Sequence, residues 1–378
     1  MTTQHGGSQP RAGRYVVVFD TADAQILQHD APALLRAEGF STDWYFPRLG
    51  IGVVDGESEH LAAFSGRCAE RRQPMRYAPE LTYYAISPQT AEYADTEEFT
   101  WGLQAVGAAQ SGATGAGIRV AVLDTGFSPD HPDFARRAVT VESFIQSESP
   151  EDAHGHGTHC IGTACGPRQG RPGYGVAPET EIYSGKVLGD DGSGSDTSIL
   201  AGIDWALQND CAVISMSLGA DVREVHPPYV AAGRRALEQG SVIIAAAGNN
   251  ASRSAGDPGF VGAPANSPAV MAVAAVDSSL RIADFSSRSV PEEGGEVNLA
   301  GPGVEVYSSW TGGGHRSISG TSMACPHVSG VAALIAETTG ARGQELWDAL
   351  VDSAVELDEP AEDVGAGLVR APDSESQD

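Results

Sequence analysis

Apolar positions along the chain fall into two arrangements, and the change between them divides it. Over residues 14–19 the run Arg-Tyr-Val-Val-Val-Phe predicts a strand, and 31–39 a short helix stopped by Gly39. Residues 49–54 predict a second strand, 58–69 a helix with Leu61, Ala62 and Phe64 on one side, and 80–86 a third strand. Behind a polar tail (1–14), these make a small α+β domain over 15–86. Residues 87–99 are polar and acidic with Pro88 near the start, which reads as a linker. From 100 to 378 short unbroken apolar runs alternate with helical patterns. Strands are expected over 118–123, 180–188, 212–216, 242–246 and 271–276, and helices over 198–208, 228–239 and 321–337. Such runs joined by helical crossovers imply an α/β fold, a parallel sheet covered by helices on both faces. Ligands of such a sheet bind beyond the carboxyl ends of its strands.

Those strand ends carry chemistry. The strand over 118–123 runs into Asp124-Thr125-Gly126, and 242–246 runs through Ala247 into Gly248-Asn249. His154-Gly155-His156-Gly157-Thr158-His159 opens a helix of small residues, and Gly320-Thr321-Ser322-Met323-Ala324-Cys325-Pro326-His327 opens the long apolar helix. A serine in a first helical turn sits among free backbone N–H groups, where an oxyanion is favoured. Each piece has an ordinary reading as well: a turn cap for Asp124, a helix cap for Ser322, a metal-binding cluster for His154, His156 and His159. An acid, a base, an amide donor and a hydroxyl together suit acyl transfer.

In this order the four motifs resemble the subtilisin-like serine peptidases, or subtilases, whose catalytic groups run Asp, His, Ser. The resemblance implies a serine endopeptidase with Ser322 as nucleophile, His156 as general base, Asp124 orienting the imidazole and Asn249 as oxyanion donor. It implies protein or peptide substrates and no cofactor for the chemistry. Gly192, Ser193 and Gly194 match one segment that flanks an extended substrate in the family, and Ser217, Leu218 and Gly219 the other. Gly262 stands at the base of the pocket for the residue before the cut. Asp196 replaces an aromatic residue often found at a more distal pocket. Asp133 resembles a family calcium ligand and Glu97 a second, so structural Ca2+ is an expectation, set against Arg168 and Arg171 in the neighbouring loop. Cys160, directly after His-Gly-Thr-His, resembles the free cysteine of the proteinase K branch, which implies inhibition by mercury reagents. Residues 15 to about 90 resemble the subtilase propeptide in length and element order. That implies a zymogen whose own N-terminal domain inhibits it until a cut within 87–99, with Tyr93-Ala94-Asp95 the leading position. Two other classes stay open: a non-catalytic peptide-binding protein on the same fold, and a metal-dependent hydrolase built on the histidine cluster.

Composition narrows the setting. Fifty Asp and Glu against 23 Lys and Arg give a net charge of −27, which repels nucleic acid and anionic membranes. The excess is uneven: residues 1–94 carry eight basic and eleven acidic side chains, the remainder fifteen and thirty-nine. Lys186 is the only lysine. This balance resembles that of proteins from the cytoplasm of salt-loving archaea, or that of an acidic protein from an arginine-preferring genome. Five cysteines, an odd number without CxxC spacing, argue against a disulfide framework and a structural zinc. No run of about 18 apolar residues could span a membrane. The first fourteen residues show no export signal, which points to the cytoplasm unless translation begins upstream.

Overall fold

In the computed structural model, which describes residues 13–21, 23, 25–71, 73–85, 95–168, 172–290 and 295–373, the chain forms two hydrogen-bonded sheets of more than three strands. The first belongs to the N-terminal unit. This comprises β1 (Arg14–Phe19), α1 (Ala31–Ala37), β2 (Tyr45–Phe46), β3 (Ile51–Asp55), α2 (Ser58–Glu70) and β4 (Met75–Pro79), in the antiparallel order β2-β3-β1-β4. Successive side chains of a strand point to opposite faces. Val17 and Phe19 of β1 therefore pack with Leu35, Leu61 and Phe64 of the same unit. Val16 and Val18 pack the other way, in a core shared with the large unit. Burial on both faces is why β1 reads as an unbroken apolar run.

The third strand expected over 80–86 does not join this sheet. Its place is taken by β4, a stretch that gave little signal because only Met75 is fully buried, Arg76 is exposed and the strand ends at Pro79. Proline is tolerated there because β4 lies at the sheet edge. The following strand, β5 (Thr82–Ala85), crosses to the large unit instead.

The large unit runs through α3 (Trp101–Ala105), β6 (Arg119–Asp124), β7 (Val139–Ser143), α4 (His156–Cys165), β8 (Glu181–Lys186), β9 (Ser193–Ser195) and α5 (Asp196–Gln208). It continues through β10 (Val213–Met216), β11 (Leu218–Gly219), α6 (Pro227–Glu238), β12 (Val242–Ala246), β13 (Met271–Val276), β14 (Val297–Pro302), β15 (Val306–Trp310) and β16 (Gly314–Ile318). Helices α7 (Thr321–Thr339), α8 (Gly343–Asp352) and α9 (Ala361–Val364) close it. Seven parallel strands stand in the order β14-β13-β12-β10-β6-β8-β7. Val120 and Val122 of β6 pack with Cys160 of α4 and Val331 of α7, whereas Ala121 and Leu123 pack with Ile199 of α5 and Tyr229 of α6. The sheet is thus covered on both faces, as its apolar runs predict. The two edge strands, β7 and β14, were not anticipated. The exposed middle of β7 and the Asn298, Gly301 and Pro302 of β14 dilute their apolar signal.

From β6 the chain first builds outward to β7 and β8, then returns to β10 on the other side. The carboxyl end of β6 is therefore the switch point where a doubly wound sheet opens a crevice, and Asp124 stands there. The N-terminal unit rests on α5 and α6. Arg235 Nη2 donates to the carbonyls of Phe19 (3.1 Å) and Thr21 (3.3 Å). Glu80, fully buried, lies 3.3 Å from Arg14 Nε and accepts from Thr197 N–H (3.0 Å) at the start of α5, where the helix dipole favours a carboxylate. Residues 86–94, which include most of the expected processing stretch, lie outside the described residues. Among the described residues no helix is long and apolar enough to cross a membrane.

Candidate active site

Three elements supply the acid, base and hydroxyl, and Cys160 of α4 touches both the His156 ring and the Ser322 carbonyl. Asp124 Oδ1 accepts from Thr125 N–H (2.7 Å) and lies 2.8 Å from His156 Nδ1, both groups being buried. His156 opens α4, and the start of that helix is held by Asp152, which the sequence reading missed. The buried Asp152 carboxylate accepts from the N–H groups of His154 (3.0 Å), Gly155 (2.7 Å) and Thr158 (2.8 Å), and from the hydroxyls of Thr125 (2.9 Å) and Thr158 (2.7 Å). It thereby satisfies helix donors that have no intrahelical acceptor and ties α4 to the loop after β6. Gly157 must be glycine, since a Cβ there would stand 2.4 Å from Gly126 O. That close approach is what lets the imidazole reach Asp124.

Ser322 is the second residue of α7, and Pro326 lies inside the same helix. Proline has no N–H, so the Ser322 carbonyl lacks its usual donor four residues on. Ser217 Oγ donates to it at 2.7 Å and Cys160 Sγ at 3.6 Å. Ser322 Oγ in turn lies 3.2 Å from the Ser217 carbonyl. The helix proline thus leaves the Ser322 segment anchored to α4 and to the loop between β10 and β11.

Asn249 follows β12. Its Oδ1 accepts from Thr321 N–H (3.0 Å) and Thr321 Oγ1 (2.8 Å), which turns Nδ2 the opposite way. Nδ2 is buried and has no acceptor among the described residues. Leaving a buried donor unpaired costs ~1–3 kcal/mol, so this amide is oriented at a structural expense.

The other histidines do not assemble with His156 into a metal cage. His159 Nε2 donates towards the carbonyls of Val306 (3.0 Å) and Arg316 (3.1 Å), in the hairpin of β15 and β16, and His154 packs edge-on against His156. Burial pushes His159 down to about 3, and burial likewise pushes His327, bonded through Nδ1 to the Met323 carbonyl, down to about 4. Both rings are neutral when folded, whereas the unfolded chain protonates them below their ordinary ~6.5. Their contribution to stability is therefore fully present above pH 6.5 and falls as pH drops towards 4, by about 1.4 kcal/mol per pH unit for each ring. Urea midpoints of an inactive Ser322→Ala chain should decrease from pH 7 to pH 5, and a constant midpoint would refute this.

All five cysteines are free and buried. Cys325 donates to Ile244 O (3.3 Å), and burial pushes its thiol up to about 11, so it belongs to the core. Cys160 Sγ lies 3.8 Å from His156 Nδ1, and burial raises its thiol well above the ordinary range. Lys186 lies beside Asp124 in the register of β6 and β8 and is wholly buried. It donates to Thr125 O (2.8 Å) and Asp190 Oδ1 (2.7 Å) and approaches Glu148 Oε2 (3.3 Å), fixing the loop that follows Asp124. Its being the sole lysine in an arginine-preferring chain was the available signal.

The residues expected to flank a substrate line one groove, and β5 of the N-terminal unit lies in it. Tyr83 stands opposite Gly194, Tyr84 opposite both Ser193 and Gly219, and Ala85 opposite Leu218, with β5 antiparallel to β9 and to β11. Gly192 makes the turn before β9 with φ +77°, a conformation that suits glycine. Gly262 lines a small cleft with Gly219, Ala246 and Gly248, and a Cβ on it would meet Ala220 O at 2.4 Å. Asp196, buried at the start of α5, accepts from Leu81 N–H and from His226 Nε2–H (3.0 Å). Asp133 Oδ2 accepts from Tyr174 OH and lies 2.8 Å from His315 Nε2. Glu97 is exposed, and no contact among the described residues links it to Asp133.

The profile of the Subtilase family matches residues 115–368. Subtilisin E of Bacillus subtilis is 33% identical over 341 residues, which cover 89% of this chain and 83% of that protein. Subtilisin DY of Bacillus licheniformis is 42% identical over 229 residues, 59% of this chain and 78% of that one. A thermostable alkaline protease of Halalkalibacterium halodurans is 41% identical over 251 residues, 65% of each chain.

Proposed function

The chain belongs to the subtilase family and is a serine endopeptidase, and on that premise we propose that Asp124, His156, Ser322 and Asn249 carry out the hydrolysis. The observation that carries the assignment is the 2.8 Å contact of His156 Nδ1 with Asp124 Oδ1. With the Nδ1 proton held by the carboxylate, Nε2 is the basic nitrogen. Ser322 Oγ attacks the scissile carbonyl and gives its proton to Nε2, while Asp124 stabilises the imidazolium. The oxyanion takes hydrogen bonds from Asn249 Nδ2 and from Ser322 N–H, which a first helical turn leaves without an intrahelical acceptor. Nε2 then protonates the leaving amine, and water releases the acyl group by the same route. The family's chemistry needs no cofactor.

A serine-directed fluorophosphonate should label the matured enzyme, with labelling and casein cleavage both absent in Ser322→Ala. A matured protein that takes no label would favour a peptide-binding role, and chelator-sensitive cleavage without labelling a metal hydrolase. Asn249→Ala should lower kcat ~10²–10³-fold, the loss seen for the equivalent amide in subtilisin, with little change in KM. Steady-state kinetics on a peptide anilide checks the split.

Substrate adds as a strand between β9 and β11, with main-chain bonds supplying affinity and the cleft at Gly262 taking the side chain before the cut. The N-terminal unit is the natural inhibitor on this reading, because β5 already fills that groove. The described pairing ends at Ala85 opposite Leu218, next to Ser217, whose carbonyl lies 3.2 Å from Ser322 Oγ. That favours processing at the Ile86–Ser87 bond, ahead of the Tyr93-Ala94-Asp95 position expected from the sequence.

The donors around Asp133 do not fit a calcium site shared with Glu97. Calcium takes six to eight oxygens, whereas Asp133 is surrounded by the imidazoles of His131 and His315 and the Tyr174 hydroxyl.

A further inference from the structure

We propose that His131, Asp133 and His315 bind a divalent transition metal of the zinc type, outside the catalytic triad. The three side chains offer donor atoms that all lie within 4.8 Å of one another. His131 is wholly buried, and its Nε2–H donates to the Gly314 carbonyl at 2.8 Å. That bond fixes the tautomer and turns the Nδ1 lone pair towards Asp133, 3.9 Å from Oδ2. The lone pair accepts only a long bond (3.3 Å) from Asp133 N–H. Such a backbone-anchored imidazole is the usual support of a metal-binding histidine. His315 Nε2 lies 2.8 Å from the same carboxylate oxygen, so a proton occupies the line between them when no ion is bound. Binding releases that proton to solvent or moves it to Nδ1.

The surroundings hold these donors in place. The Tyr307 ring stacks on His315 at 5.0 Å and 10°, Phe134 packs edge-on against His131 at 5.8 Å, and Tyr174 OH is bonded to Asp133. Two imidazoles and one carboxylate suit zinc or cobalt, and a fourth position is open to water. The Asp133 and His315 side chains are 24% and 27% exposed, which gives an ion its path of entry. His131 and Asp133 follow the loop after β6, and His315 lies on β16, which leads directly to Ser322. A bound ion therefore clips that loop to the hairpin before the nucleophile helix, and its effect is on stability.

The test uses the full chain carrying Ser322→Ala, which prevents self-digestion, freed of metal by a chelator. Cobalt(II) should bind in one equivalent with the intense visible absorption of a four-coordinate ion, be displaced by zinc, and resist excess calcium. Zinc should raise the melting temperature. His315→Ala, on the exposed hairpin, should weaken cobalt binding by more than the ~10–100-fold that disturbing an outer partner costs, and abolish the zinc-dependent shift. Asp133→Asn should do the same, with circular dichroism confirming both folds. The proposal is overturned by any of four results: no four-coordinate spectrum, affinity unchanged in both variants, displacement by calcium, or loss of binding in Cys160→Ser instead. The last would place the ion at Asp124, His156 and Cys160, the other donor cluster among the described residues.

Discussion

Ser322→Ala lowers kcat on a peptide substrate about 10⁶-fold, the loss known for the same change in subtilisin, and leaves the chain at full length. The two outcomes share one cause. Without the hydroxyl no acyl intermediate forms, so an added substrate is not cut, nor is the chain's own bond behind β5 at which we propose it processes itself. What remains is the acceleration supplied by the oxyanion donors and by strand binding, ~10³–10⁴ over water. Fold stability should hardly change, because Ser322 is anchored through its carbonyl, which accepts from Ser217 Oγ and Cys160 Sγ, and that backbone group survives the substitution. Intact mass is the decisive measurement. The variant should retain residues 1–86 covalently while the wild-type enzyme loses them. A purified Ser322→Ala chain that still shed its N-terminal unit with no other peptidase present would end the self-processing reading.

Asp124→Asn should lower kcat about 10⁴-fold while KM and the melting temperature change little. Asp124 Oδ1 accepts from Thr125 N–H and faces His156 Nδ1 at 2.8 Å, and an asparagine is almost the same shape. What changes is the sign of the hydrogen bonding. An amide nitrogen turned towards the ring donates to Nδ1 and leaves the proton on Nε2, the nitrogen that must be basic. In the other orientation the neutral amide still fails to stabilise the imidazolium. Loss of kcat at constant KM separates this from a general disturbance of the groove. A folded Asp124→Asn enzyme with near-normal kcat would remove Asp124 from the mechanism.

Legibility followed the physics of each element. Strands β6, β10, β12 and β13 are buried on both faces, so their apolar runs stood out, whereas the edge strands β4, β7 and β14 carry proline or exposed polar residues and did not. The four motifs were visible because each sits at a strand end or helix start where small residues must allow close approach, as Gly157 does against Gly126. Asp152 was not, since an acidic residue in a loop reads as solvated until its five bonds are seen. Nor was the role of Pro326, whose effect falls on a carbonyl four residues away and on partners from two other elements.

By itself the sequence determined the residue types and their order: an acid, a base, an amide and a hydroxyl at the ends of buried strands and the starts of helices, behind a separate α+β unit. Those features rest on local periodicity and on glycine and proline chemistry, which act over a few residues. Only the tertiary structure decided that β5 leaves its own unit to lie between β9 and β11, that Asn249 turns its amide nitrogen away from Thr321, and that His131 and Asp133 meet His315. Each depends on contacts between residues tens to hundreds of positions apart. Such pairings are set by how whole elements pack, which no local pattern encodes.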